Sequence, residues 1–261
     1  VNDDMFQAGN IIEGLPPGEY TVSVIDENNC IKNSEITHTI TEPEMLSITG
    51  EMSENISCFN ANDGKITVEA KGGTGTLQYK INNSEYQTDG VFENLSQGNY
   101  KITIKDENDC EMVSNKIHQI TNPDEIQIID ENTESLKCFG DKNGKISINA
   151  IGGTGKLTYT LNSGETQETG DFKGLSAGNY QLTIKDDNAC ELSKEYQINS
   201  PAQIRIVSET LSPTSCHNAY DASITAEAEG GTGELQYRIN SGIYQNNGIF
   251  NHLTEGEYRI T

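Results

Sequence analysis

The chain repeats itself about every 80 residues. Ser57-Cys58-Phe59, followed by Asp63-Gly64-Lys65-Ile66, returns as Lys137-Cys138-Phe139 and Asn143-Gly144-Lys145-Ile146. Gly72-Gly73-Thr74-Gly75 returns at Gly152-Gly153-Thr154-Gly155 and Gly230-Gly231-Thr232-Gly233. Leu-x-x-Gly-x-Tyr occurs four times, ending at Tyr20, Tyr100, Tyr180 and Tyr258. A solenoid rung uses roughly 20–50 residues. A period this much longer holds a small core of its own, so each repeat reads as a domain. Arrays of that kind build length or present surfaces; a single active site is seldom copied this way.

Within a repeat the signals are those of strands. Ile66, Val68 and Ala70 alternate with polar residues, as do Tyr100, Ile102 and Ile104. Period-two alternation describes antiparallel strands with one buried face. Gly, Asn and Asp clusters separate the runs, and these residues tolerate the positive φ that tight turns need. The first complete repeat yields about seven strands, near 46–50, 65–70, 77–81, 86–88, 91–94, 100–105 and 116–120. Seven short strands in such a length predict an all-β, immunoglobulin-like antiparallel sandwich. The Leu-x-x-Gly-x-Tyr motif precedes the penultimate strand, where such a sandwich has its tyrosine corner. Tyr20, Tyr100, Tyr180 and Tyr258 are therefore assigned a structural role. With no Trp in the chain, the core falls to Ile, Val, Leu, Phe and Tyr.

Pro43, Pro123 and Pro201 each follow the last strand of a repeat and end its pairing. They divide the chain into 1–43 (the later part of a first repeat), 44–123 and 124–201 (complete repeats), and 202–261 (the first part of another). The linkers are so short that tandem domains in an extended, fairly stiff rod are expected. A sequence that opens inside one repeat and stops within another is expected to continue in both directions.

Charge narrows the function. Forty acidic residues against 17 basic ones give a net charge of −23. No basic face is available for nucleic-acid phosphates or an anionic membrane surface. No apolar run approaches the roughly 20 residues needed to cross a bilayer. Gly-Gly-Thr-Gly lacks the Lys of a phosphate loop, no Gly-x-Ser-x-Gly elbow is present, and no His recurs in every repeat. The chain is read as non-catalytic. Sequon-like Asn55, Asn82 and Asn94 are attributed to chance.

The Cys-Phe-x-x-x-x-Gly-x-Ile opening, Gly-Gly-Thr-Gly, and the Leu-x-x-Gly-x-Tyr-x-x-x-x-x-Asp-x-x-x-Cys close together resemble the SprB repeat. The resemblance implies a stalk region of a large surface adhesin of gliding Bacteroidota, exported by type IX secretion and associated with the outer membrane. It implies partners in the gliding and secretion machinery, in external surfaces or glycans, and in other repeats of the same chain. The last repeat departs from the pattern, with Cys216-His217 in place of Cys-Phe and Ala222 in place of the turn Gly.

Six cysteines, Cys30, Cys58, Cys110, Cys138, Cys190 and Cys216, alternate between two places in the repeat. Their period reads as a disulfide framework. Three pairings are open, with free thiols as the remaining alternative: within a repeat (Cys58–Cys110, Cys138–Cys190), across a linker (Cys30–Cys58, Cys110–Cys138), or to the next repeat (Cys58–Cys190). In a sandwich the two Cys of one repeat lie about a strand length apart, roughly 20 Å. A disulfide needs Cα atoms within about 7 Å. That favours the third pairing, while the commonness of intradomain disulfides favours the first. Zinc lacks a Cys-x-x-Cys, and His38 and His118, at one repeat position, read as surface strand residues.

The turns beside the cysteines carry Asn60, Asn62 and Asp63 on one side and Asp106, Asn108, Asp186 and Asn188 on the other. Hard oxygen ligands in turns suit Ca²⁺, so these form a candidate calcium set. The same residues also serve ordinary turns by bonding their own backbone. No other cofactor is expected. As an alternative to a stalk, the 82–88 region and the Gly72 and Gly152 loops are candidate carbohydrate- or protein-binding surfaces.

Overall fold

A computed structural model describes residues 6–261; the first five residues of the 1–43 segment lie outside the described residues. The described chain is strand and turn throughout, and no helix in it is long and apolar enough to cross a membrane. It divides into two compact units. One runs up to Ile56 and resumes over Asn60–Asn122; the other comprises Ser57–Phe59 and Pro123–Thr261.

The first unit opens with β1 (Gly18–Ile25) and β2 (Ile31–Ile40), an antiparallel pair. Its complete repeat holds β3 (Ser47–Glu54), β4 (Gly64–Lys71), β5 (Gln78–Ile81), β6 (Val91–Leu95), β7 (Gly98–Lys105) and β8 (Glu111–Ile120). These form two three-stranded sheets, β3-β4-β6 and β5-β7-β8. Taking the strands in order as A, B, C, E, F and G gives A-B-E on one sheet and C-F-G on the other, the arrangement of an immunoglobulin-type sandwich. The alternating residues of each strand supply the core: Ile66, Ile102 and Ile120 are fully buried, with Ile56, Val68, Ile81 and Phe92 around them.

The second unit repeats the plan. It contains β9 (Asp124–Glu134), β10 (Gly144–Gly153), β11 (Thr158–Leu161), β12 (Thr166–Gln167), β13 (Gly170–Leu175), β14 (Gly178–Lys185) and β15 (Glu191–Ile198). The sheets are β13-β10-β9 and β12-β11-β14-β15. Strand β12 therefore pairs with the C strand rather than adding to the A-B-E sheet. Ile146, Leu182 and Ile184 are fully buried, and Ile198 nearly so. Beyond them, β16 (Ala202–Ser212), β17 (Ala222–Gly231) and β18 (Ile249–Leu253) form the A-B-E sheet of the next repeat.

Three expectations are corrected. The A strand continues to Glu54 and the G strand begins at Glu111, because ladder pairing to β4 and β7 extends them through polar residues that carry no apolar signal. The short strand expected near Tyr86–Thr88 is an isolated bridge, Gln87 to Tyr79. His118, read as a surface residue, is only 2 % exposed, because alternation along β8 puts it on the inner face with Ser114 and Ile120. Its Nε2 lies 3.3 Å from Glu51 Oε2. In the next repeat Glu131 takes the place of Glu51, accepting hydrogen bonds from Tyr196 Oη (2.6 Å) and Lys194 Nζ (2.7 Å). Lys194 foremost, then Tyr196, hold the Glu131 carboxyl below its usual range. His38, by contrast, is exposed.

Candidate functional site

What recurs most faithfully surrounds the turn between strands F and G. Asp106 is buried at its base. Its Oδ1 accepts from the backbone N–H of Asn108 and Cys110, each at 2.9 Å, and its Oδ2 accepts from Thr74 N at 2.9 Å. Asp186 does the same with Asn188 N and Cys190 N at 2.9 Å and Thr154 N at 2.7 Å. In the first, partial repeat Asp26 holds Asn28 N and Cys30 N. One carboxylate thus shapes the turn, presents the cysteine and ties both to the Gly-Gly-Thr-Gly loop.

That loop is glycine-rich for a steric reason. Gly152 sits at φ +93°, and a Cβ there would lie 1.9 Å from Glu125 O. Gly72 (φ +85°) has the same relation to Met45 O, at 2.2 Å. The loop closes directly on the backbone that leads into strand A, so the Gly72 and Gly152 loops are built for chain-to-chain approach.

Within the first unit, Asn55, Ile56 and Asn60 of the A–B turn are tied to the end of strand G. Ile56 N donates to Thr121 O at 3.1 Å, Thr121 N to Asn55 Oδ1 at 3.0 Å, and Asn60 N to Asn122 Oδ1 at 3.0 Å. Asn60 and Asn62 adopt left-handed backbone (φ 60° and 54°), and Asn62 Nδ2 donates to Asn60 O at 3.1 Å. Asp63 stands exposed at the end of this turn.

The structure joins Cys58 to Cys190, with Cα atoms 5.5 Å apart. Asn188 Nδ2 donates to Ser57 O at 2.9 Å, so a second contact holds the same segment. The within-repeat pairing Cys58–Cys110 and Cys138–Cys190 is corrected, as is the linker-spanning pairing Cys30–Cys58 and Cys110–Cys138. The physical reason is the sandwich itself, which puts the A–B and F–G turns of one repeat at opposite ends of its strands. Cys30, Cys110, Cys138 and Cys216 are exposed free thiols.

Among the described residues, no group of three or more His, Cys, Asp or Glu side chains is gathered as a metal set. Of the calcium candidates, Asp106 and Asp186 each spend both oxygens on backbone amides. Asn108 and Asn188 contribute backbone N–H groups to those carboxylates. The backbone bonds from Cys110, then Thr74, hold the Asp106 carboxyl below its ordinary range. A carboxylate depressed in the folded state stabilises it above the unfolded pKa, about 3.9, and loses that contribution as pH falls through the lower folded value. Acid titration of Asp106→Asn should therefore show a shallower loss of stability below about pH 4 than the parent chain, measured by urea midpoints at each pH.

The four corner tyrosines each bond the carbonyl four residues back: Tyr20 to Pro16 (2.8 Å), Tyr100 to Ser96 and Tyr180 to Ser176 (2.9 Å each), and Tyr258 to Thr254 (3.1 Å). Two further recurring residues have structural roles that the sequence reading did not assign. Asn82, Asn162 and Asn240 take positive φ, and their Oδ1 accepts from the backbone amide of Lys101, Gln181 and Arg259. Gln87 Nε2 reaches Asp89 O and Val91 O, as Gln167 and Gln245 do at their own turns. Their recurrence at matching repeat positions was the available signal. In the 82–88 region Tyr86 donates to Glu111 at 2.6 Å beneath Lys80 and Lys105, and burial, then Glu111, pushes its hydroxyl up to about 12.

None of the curated proteins compared matches the chain. Among solved structures, the C-terminal 282-residue fragment of intimin, solved with the translocated intimin receptor's intimin-binding domain, is 15 % identical. It covers 62 % of this chain and 67 % of its own, with a TM-score of 0.36. Drosophila OTK extracellular domains 3–5 are 16 % identical over 70 % of each chain, TM-score 0.29. The N-terminal eight Ig domains of Down Syndrome Cell Adhesion Molecule are 12 % identical over 92 % of this chain and 38 % of theirs, TM-score 0.42. The SprB repeat profile matches residues 51–85 and 131–166, which run from the later part of strand A through strands B and C of both complete repeats. The chain thus carries two SprB-repeat matches, one in each complete repeat, within tandem immunoglobulin-like β-sandwiches.

Proposed function

We propose that this region is a non-catalytic stalk of a large bacterial cell-surface adhesin, serving surface attachment and gliding motility. The observation that carries the reading is which residues repeat. The Asp cradles, corner tyrosines, Gly-Gly-Thr-Gly loops and the Asn82 class all act on their own backbone. Exposed neighbours change: Thr76, Lys156 and Glu234 occupy one position. A ligand site copied along an array keeps its exposed side chains, whereas a spacer keeps its core and turns. Acidity adds mutual repulsion along the array. The domains are taken as 44–123 and 124–201, with partial repeats at 1–43 and 202–261. Export by type IX secretion to the outer membrane, and contact with the gliding machinery, follow from the SprB likeness.

Small-angle scattering of the chain tests the stalk. A compact globule of this length has a radius of gyration of about 18 Å; a stalk gives a clearly larger value, and about 18 Å overturns it. A glycan array is expected to show no binding. Reproducible capture of one sugar class would favour the alternative, an array of carbohydrate-binding modules.

A further inference from the structure

A groove of about 570 Å³ lies in the first unit, lined by Pro43, Met45, Thr74, Asn108, Cys110 and Met112 among others. Each of these has a counterpart 80 residues later: Pro123, Glu125, Thr154, Asn188, Cys190 and Leu192. In the second unit that counterpart set is not open. Ser57–Phe59 belongs to that unit, Asn188 holds Ser57 O at 2.9 Å, and Cys190 is bonded to Cys58. Cys190 is half-buried, while Cys110 is exposed. The same turn geometry presents both cysteines, since Asp106 and Asp186 bond them identically at 2.9 Å.

We propose that the Cys110 groove is a socket for the Cys-bearing A–B turn of another like repeat, and that docking is closed by a disulfide to Cys110. The occupant is a Ser-Cys-Phe type of turn, because that is what the equivalent residues hold. Asn108 supplies the amide that clasps the carbonyl before the incoming cysteine, as Asn188 does. By the same rule Cys138 and Cys216, in exposed A–B turns, are plugs for the F–G sockets of other repeats. One register, A–B turn to the next F–G turn, thus accounts for the bonded pair and for the free cysteines. Closing the bond removes two electrons and two protons from the paired thiols. A dithiol–disulfide oxidant accepts them and is reduced to its dithiol.

The test uses the whole chain with its Cys58–Cys190 bond intact. The probe is a synthetic peptide of residues 54–64, its single cysteine carried as a mixed disulfide with thionitrobenzoate. The Cys110 thiolate, its proton lost to solvent, attacks the peptide sulfur. A new S–S bond forms and thionitrobenzoate leaves with the electron pair, so no external oxidant is needed. Peptide mapping then reads which cysteine is labelled. Cys110 should react about tenfold faster than Cys30, Cys138 or Cys216, the preference one or two specific contacts confer. Cys30 is the internal control. Asp26 bonds its backbone N–H as Asp106 bonds that of Cys110, yet no Gly-Gly-Thr-Gly loop faces it among the described residues. Asn108→Ala should cut the preference severalfold while leaving the fold alone, because its backbone N–H to Asp106 remains. A scrambled peptide of the same composition should show no preference. Equal labelling of all four thiols, or a preference that persists with the scrambled peptide, overturns the socket. Neither outcome bears on scattering or glycan binding, so the stalk reading stands or falls separately.

Discussion

Reducing Cys58–Cys190 is expected to lower the second unit's resistance to urea by up to about 5 kcal/mol. The bond closes a loop across 132 residues of sequence separation, and the entropy withheld from the unfolded chain grows with the logarithm of that length. The figure is a ceiling. If the first repeat stays folded while the second opens, the closed path is shortened to that folded body plus its flanks, and the loss shrinks. Tyrosine fluorescence suits the measurement, since the chain has 11 Tyr and no Trp. A phosphine reductant should shift the urea midpoint of the parent and leave Cys58→Ser/Cys190→Ser unchanged. Cys110→Ser should behave as the parent does. A midpoint insensitive to reductant in the parent would mean the bond adds nothing to folding.

Leu182→Ala is expected to cost about 3 kcal/mol or more. Leu182 is fully buried in the cluster with Ile146, Leu161, Ile184 and Ile198. It faces Leu161 across the C–F ladder, at the middle of the sandwich, where neighbours cannot collapse without moving both sheets. The loss therefore combines the transfer of the deleted methyl groups with the cavity they leave. Urea midpoints at constant slope would give the value, and a loss under about 1 kcal/mol would show that this position is not packed as described. The corresponding Ile102→Ala in the first unit should behave alike, because Ile102 is equally buried opposite Ile81.

Strand placement was legible because alternation and turn chemistry are local. Ile66 and Val68, or Ile102 and Ile104, announce their inward face two residues at a time, and all four are buried. Less legible were the ends of β3 and β8, which grow by pairing with a neighbour rather than by their own pattern. His118 misled for a related reason: an imidazole in an alternating strand looks polar until Glu51 is seen opposite it. Asn82 read only as a turn residue and Gln87 only as part of a short strand, because their partners, Lys101 N and Val91 O, are remote or generic in sequence.

From sequence alone came the period, the strands, the all-β class and the likeness to the SprB repeat, since each rests on residue identity within short spans. Which cysteines meet did not. Three pairings satisfied the spacing, and only the folded chain, with Ser57–Phe59 packed in the second unit, selects Cys58 with Cys190. Repeat spacing specifies where a residue lies along the chain, whereas a disulfide requires two Cα atoms within a few ångströms, a distance that sandwich geometry alone decides.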